Sequence, residues 1–149
     1  METPTFTAAT FYRDPKAALD FLERAFGFET RMVVELPDGG VVHSESAFEG
    51  CVVMVVGPPS HYGASPLDVE GRITGHVHVQ LQSGLDALCE RARAAGARIE
   101  REPADQPYGD RVFMCLDPEG QSWSFGQEVQ AMAVGDWDSA TGTMTRTRP

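Results

Sequence analysis

The feature that most restricts how this chain can fold is an internal repeat. Leu19-Asp20 returns as Leu85-Asp86, Gly27 as Gly96, Arg31 as Arg101, Glu49-Gly50 as Glu119-Gly120 and Gly57 as Gly126, at offsets of 66 to 70 residues. Self-similarity at a near-constant spacing marks one supersecondary unit used twice. The order of elements repeats as well. Residues 5–12 are β-branched and aromatic and read as a strand. Asp14-Pro15 then supplies a helix N-cap with proline in the first turn. Ala18, Leu19, Leu22, Ala25 and Phe26 form one helical stripe that Gly27 closes. Strand-like runs follow at 29–36, 41–48 and 51–57, split by Pro37-Asp38-Gly39-Gly40 and Glu49-Gly50.

The second half restates this pattern with a strand at 75–82, a helix at 85–95 ended by Gly96, and strands near 98–102, 110–116 and 121–127. Asp117-Pro118-Glu119-Gly120 is the tight turn before the last strand. The fold class is therefore α+β, two βαβββ modules in tandem over residues 5–57 and 75–128. The Pro-, Gly- and Ser-rich stretch 58–74 is the linker. The expected domain runs over 1–128, and 129–149 is a weakly structured tail or an arm that covers a partner subunit.

A chain of 149 residues with 42% hydrophobic content can bury a core of its own. Its net charge of −10 opposes nucleic-acid phosphates and agrees with a cationic ligand, although many soluble proteins carry such a charge. No apolar run has the length of a membrane span, and the N-terminus has no leader pattern. Cys51, Cys89 and Cys115 are scattered and odd in number, which points to reduced, buried thiols and a cytoplasmic location.

Two stretches resemble the glyoxalase / bleomycin-resistance / dioxygenase (vicinal-oxygen-chelate) superfamily. One is Asp14-Pro15 with Ala18, Phe21 and Phe26-Gly27-Phe28; the other is Tyr108-Gly109-Asp110-Arg111 with Asp117-Pro118-Glu119-Gly120 and Trp123. Together they cover about residues 5–128, and the second is the more specific. The resemblance implies that each module curls its sheet into half a barrel, with a small-molecule ligand in the cleft and a second chain completing a homodimer. It also implies four metal-ligand positions, which fall here on Thr7, Met54, His76 and Ser124. Only His76 is a competent ligand for a divalent ion, since neutral hydroxyls bind such ions poorly and a thioether suits soft ones. No cofactor is expected on this reading.

A relocated divalent-metal site is the alternative. Strand alternation puts His76, His78 and Gln80 on one side, and His43 with Glu45 on one side of another strand. His43, Glu45, His76 and His78 then offer suitable donors, or they line a polar wall. The same parity turns Phe11 inward and sends Trp123 and Phe125 towards the helices. In the loop before a strand, Tyr108 and Arg111 are candidates to stack on a ligand and clamp its anion, or to secure the strand entry through an acidic partner. The expected function is a metal-free protein that sequesters a small molecule in a dimer cleft. Its rivals are a lyase, isomerase or dioxygenase using the relocated metal or histidine acid–base chemistry, and a scaffold without ligand.

Overall fold

A computed structural model describes residues 6–148; the start of the first expected strand, at residue 5, lies outside them. Each module is a four-stranded mixed sheet with one helix. The first contains β1 (Ala8–Phe11), α1 (Pro15–Phe26), β2 (Glu29–Glu35), β3 (Val41–Phe48) and β4 (Cys51–Val56). The second contains β5 (His76–Leu81), α2 (Leu85–Ala95), β6 (Arg98–Asp105), β7 (Asp110–Leu116) and β8 (Ser122–Glu128). Strand order is β1-β4-β3-β2 in one sheet and β5-β8-β7-β6 in the other, with the first pair of each parallel. The modules even share their register: Ala9 lies beside Met54 as His78 lies beside Ser124.

The caps explain the helix limits. Asp14 accepts a hydrogen bond from the Ala17 N–H, and Gly27 ends α1 in a left-handed conformation at φ 73°. Helix α2 starts on Gly84 without a side-chain cap of its own; the amide oxygen of Gln127 on β8 accepts from the Leu85 N–H instead. Strand β6 runs through Pro103 to Asp105, further than the sequence suggests. It is an edge strand, and its pairing with β7 is irregular between Arg101 and Ala104, where a proline costs no ladder bond.

One core serves both modules. The helix-side faces of the two sheets and both helices bury Leu22, Phe26, Val55, Leu85, Phe113, Trp123 and Phe125 to 1% exposure or less. Phe26 of α1 reaches into the second module, its ring centre 5.3 Å from Trp123 and 4.7 Å from Phe125. Each such side chain contributes roughly 1.5–3 kcal/mol by leaving water. Trp123 and Phe125 are therefore core residues, as their strand parity requires.

The turn at 117–120 clasps the halves together. Asp117 is buried and accepts from the Tyr12 hydroxyl (2.6 Å), the Trp123 indole N–H (3.2 Å) and the backbone N–H groups of Glu119 and Gln121. Burial pushes its carboxyl above the usual carboxylate range, while these bonds pull the other way. Glu119 accepts from the N–H groups of Arg13 and Asp14, and the Gln121 amide donates to the Phe11 carbonyl. The specific closing motif is thus a structural joint between modules.

Two expectations are corrected. The two sheets do not close into a barrel; each remains a separate four-stranded sheet. Cys51 is exposed, since it starts β4 just after the Glu49-Gly50 tip, while Cys89 and Cys115 are buried. The tail folds a short helix, α3 (Asp138–Thr141), and Val129 and Gln130 donate to the Gly109 carbonyl. Among the described residues, no helix is long and apolar enough to cross a membrane.

Candidate functional site

Alternation along the strands divides each sheet into a covered and an open face. On the first sheet Ser44, Ser46, Val53 and Val55 are buried, so His43, Glu45 and Met54 take the other side. Glu45 lies opposite Met54, 3.4 Å from His43 Nε2 and 3.8 Å from an Arg31 nitrogen. On the second sheet Phe113, Cys115, Trp123 and Phe125 are buried, leaving His76, His78, Gln80, Val112, Met114 and Ser124 on the open side.

That second face carries a continuous series of polar side chains. Ser124 Oγ lies 2.8 Å from His78 Nδ1 and 3.4 Å from His76 Nε2. His78 Nε2 is 3.0 Å from Gln80 Oε1, and the Gln80 amide nitrogen donates to Asp110 at 3.1 Å. The carboxylate accepts only, so Gln80 must turn its nitrogen to Asp110 and its oxygen to His78. His78 therefore carries its proton on Nε2. In the neutral ring Nδ1 then accepts from the Ser124 hydroxyl, which leaves an oxygen lone pair for His76 or a ligand. An amide does not pass a proton on, so Gln80 sets the tautomer of His78 and does not connect it to Asp110 as a base. Gly126 makes the arrangement possible: a methyl group there would stand 2.8 Å from Gln80 Oε1 and 3.0 Å from His78 Cε1.

Two cavities meet at His76. One, of about 300 Å³, lies over His76, His78 and Ser124 and is walled by Arg101, Tyr108 and Met114, all of the second module. The other, of about 550 Å³, lies between β1 and the start of β5 beneath residues 62–75, and includes Phe11, His76 and Ser122. Both fall within or near the size range of small-molecule sites.

The sequence-chosen residues are thus only partly brought together. His76, His78, Tyr108 and Ser124 share the smaller cavity, and Phe11 joins His76 in the larger one. Thr7 and Met54 are half-buried on the first module and wall neither cavity; His43 and Glu45 stand with Arg31 on their own sheet. Arg111 is a correction. It points to the helix side, bound to Asp86 of α2 (2.8 Å) and Asp105 (2.9 Å), because it is one residue out of phase with cavity-lining Val112. Its role at the strand entry is the acidic-partner one. Arg101 is the cavity-wall residue that motif reading missed, whereas strand alternation already sets Gln80 beside His78. The sequence repeat pairs Arg101 with Arg31, whereas the strand registers set Arg101 beside Met114 as Met32 stands beside Glu45.

The donors do not fit a divalent cation. His76 is the single imidazole among Thr7, Met54, His76 and Ser124, and its Nε2 and His78 Nδ1 both face Ser124. Among the described residues, His43, Glu45, His76 and His78 do not gather within ligating distance; the one cluster that does is Cys89, Glu90 and Glu102. There the Arg93 guanidinium already engages both carboxylates, and burial raises the Cys89 thiol pKa. We assign that cluster no metal.

Comparison with known proteins agrees with this architecture. An uncharacterised protein of Mycobacterium bovis is 28% identical over 138 residues, covering 85% of each chain. The crystal structure of TioX from Micromonospora sp. ML1 superposes with a TM-score of 0.64 at 28% identity, covering 83% of this chain and 99% of TioX. TnmS3, an antibiotic-binding protein from Streptomyces sp. CB03234, has the same fold, with a TM-score of 0.61 at 19% identity over 86% of this chain and 99% of its own. The model of the Glyoxalase/Bleomycin resistance protein/Dioxygenase superfamily matches residues 7–125, nearly the whole of both modules. This chain belongs to that superfamily.

Proposed function

We propose that the chain binds a small molecule, without a metal, on the open face of its second module, in a cleft that a second copy completes. The observation that carries this reading is the hydrogen-bonded polar series His76–Ser124–His78–Gln80, which lies beside a cavity of about 300 Å³. The antibiotic-binding role of TnmS3 supports it as an example of what the fold accommodates. The second-copy part rests on exposure. Strand β2 is exposed along its whole length, with Met32, Val33 and Val34 at 38–43%, and apolar surface of that kind commonly marks an interface.

Protein purified without a metal-affinity tag is expected to hold no stoichiometric transition metal on elemental analysis. A tightly held ion that disappears in a His76→Ala/His78→Ala variant overturns the metal-free part. In a thermal-shift screen of neutral and charged small molecules, a true ligand at a hundred times its Kd adds about 2.7 kcal/mol of stability. A broad library that shifts nothing overturns the binding part. Sedimentation velocity at micromolar concentration should give a dimer, and a monomer removes the second copy.

The His78 geometry favours a second reading, general acid–base catalysis on a bound ligand, because a neutral ring with a set tautomer is a competent base. Turnover of a bound compound that is lost in His78→Gln would establish it.

A further inference from the structure

The acidic net charge suggests a cationic ligand, but the cavity wall carries an arginine, Arg101, that no carboxylate of the described residues pairs with. We infer that the second-module cavity recognises an oxyanion, a carboxylate or phosphonate, through the Arg101 guanidinium, with the hydrogen-bonding groups of His76 and Tyr108 in the same wall. This names the ligand class of the site proposed above and rests on that reading.

The argument comes from comparing the halves of the repeat. Arg31 on β2 is answered by Glu45, which lies opposite Met54. In the second module Ser124 holds the place of Met54, and the residue opposite Ser124 is Met114. The carboxylate that neutralises the first arginine is thus a thioether in the second. In the β6–β7 register Met114 lies directly beside Arg101, the place that Met32 takes beside Glu45 in the first module, where Arg31 sits in the adjacent bulge. Among the described residues, no carboxylate oxygen comes within the 4.0 Å ion-pair distance of Arg101, whereas Arg31 has one at 3.8 Å.

The acidic neighbours are already engaged. Glu100 is held by Arg98, Glu102 by Arg93, Asp105 by Arg111, and Asp110 by the Gln80 amide. Glu102 also borders the cavity, but its carboxylate is held by Arg93 of α2, and Arg101 stands in the wall beside His76, His78 and Tyr108. The remaining lining is Gln106, Ser124 and the apolar Met114, Val112 and Ala104, which suit the hydrocarbon part of a ligand. A guanidinium binds carboxylate and phosphonate oxygens through paired N–H groups. The distant negative charges that make up the net −10 are screened beyond about 8 Å at physiological ionic strength, so the groups in direct contact decide the sign of the site.

The test compares phenylphosphonate and benzoate with benzylamine by calorimetry and thermal shift at constant ionic strength, on the wild type, Arg101→Gln and Met114→Glu. Both substitutions lie on solvent-accessible positions of the open face, and circular dichroism checks that each variant is folded. The two oxyanions are expected to bind and benzylamine is not. Arg101→Gln should weaken phenylphosphonate at least tenfold. Met114→Glu, which restores the first module's carboxylate, should do the same with Arg101 still present. Equal or stronger binding of benzylamine, or unchanged phenylphosphonate affinity in both variants, overturns the inference. If neither oxyanion binds while a neutral or cationic compound from the screen does, the oxyanion inference falls and the small-molecule reading stands.

Discussion

The two modules share strand order, helix placement and register, yet their open faces carry chemistry in complementary places. The first face has its polar side chains on β3, where His43 and Glu45 stand, and Thr7, Ala9 and Met54 on or beside β1 and β4. The second reverses this, with His76, His78 and Ser124 on β5 and β8 and with Val112 and Met114 on β7. The covered faces show no such exchange, because both feed one aromatic core. The face with two histidines in place of a carboxylate is the one that lines the cavity of about 300 Å³.

Trp123→Ala should have the largest effect. If the modules share a single core, the cavity it leaves costs about 3–5 kcal/mol and lowers one cooperative transition. Two separate transitions on chemical denaturation would show that the halves are independent and that the comparison was drawn between two domains.

Gly126→Ala comes next. Its methyl group would push against the His78–Gln80 contact, so phenylphosphonate affinity should fall about tenfold, or roughly 1.4 kcal/mol. Gly126→Ala binding as well as the wild type would separate the polar series from recognition.

Tyr12→Phe probes an asymmetry of the joint. The repeat counterparts of Tyr12 and Asp117 are Leu81 and Ala47, so the clasp has no mirror copy. Loss of this bond should cost about 1–2 kcal/mol near neutral pH. Burial first, and then Asp117, hold the Tyr12 hydroxyl well above its ordinary pKa of 10.0. The unfolded chain therefore loses its proton first: the stability tied to Tyr12 is intact below pH 10 and drains away as pH rises from there towards the folded value. Equilibrium denaturation above pH 10 should fall less steeply in Tyr12→Phe than in the wild type; parallel slopes would contradict the assignment.

The smallest stability effect belongs to Glu45→Met, which copies the second module's residue onto the first. Stability should stay within about 0.5 kcal/mol, while Arg31 gains weak oxyanion affinity that calorimetry would register as a second phenylphosphonate site. No second site would mean that an unneutralised arginine is insufficient without the neighbouring histidines.

How far the site was legible follows from what strand parity can carry. The repeat and the alternation together placed His76, His78 and Ser124 on one face and Trp123 and Phe125 on the other. Parity says nothing of Arg111 when it is read as part of the loop before a strand; it stands within β7, and its partner Asp86 lies on a helix distant in sequence. Motif reading passed over Arg101, whose significance is relational: it appears only when Glu45 is matched with Met114 through the strand register. The run of β6 past Pro103 depends on its edge position, and the arrangement of the two sheets on how the helices pair. Neither property is local to the residues concerned.

The most direct test is a titration of isotope-labelled, metal-free protein with phenylphosphonate, followed by NMR through the backbone, the arginine side chains and the histidine rings. The account predicts saturable shifts centred on Arg101, His76, His78 and Ser124, with the His78 proton on Nε2 before ligand is added. Saturable shifts centred on His43 and Glu45, or a response that never saturates, would contradict it.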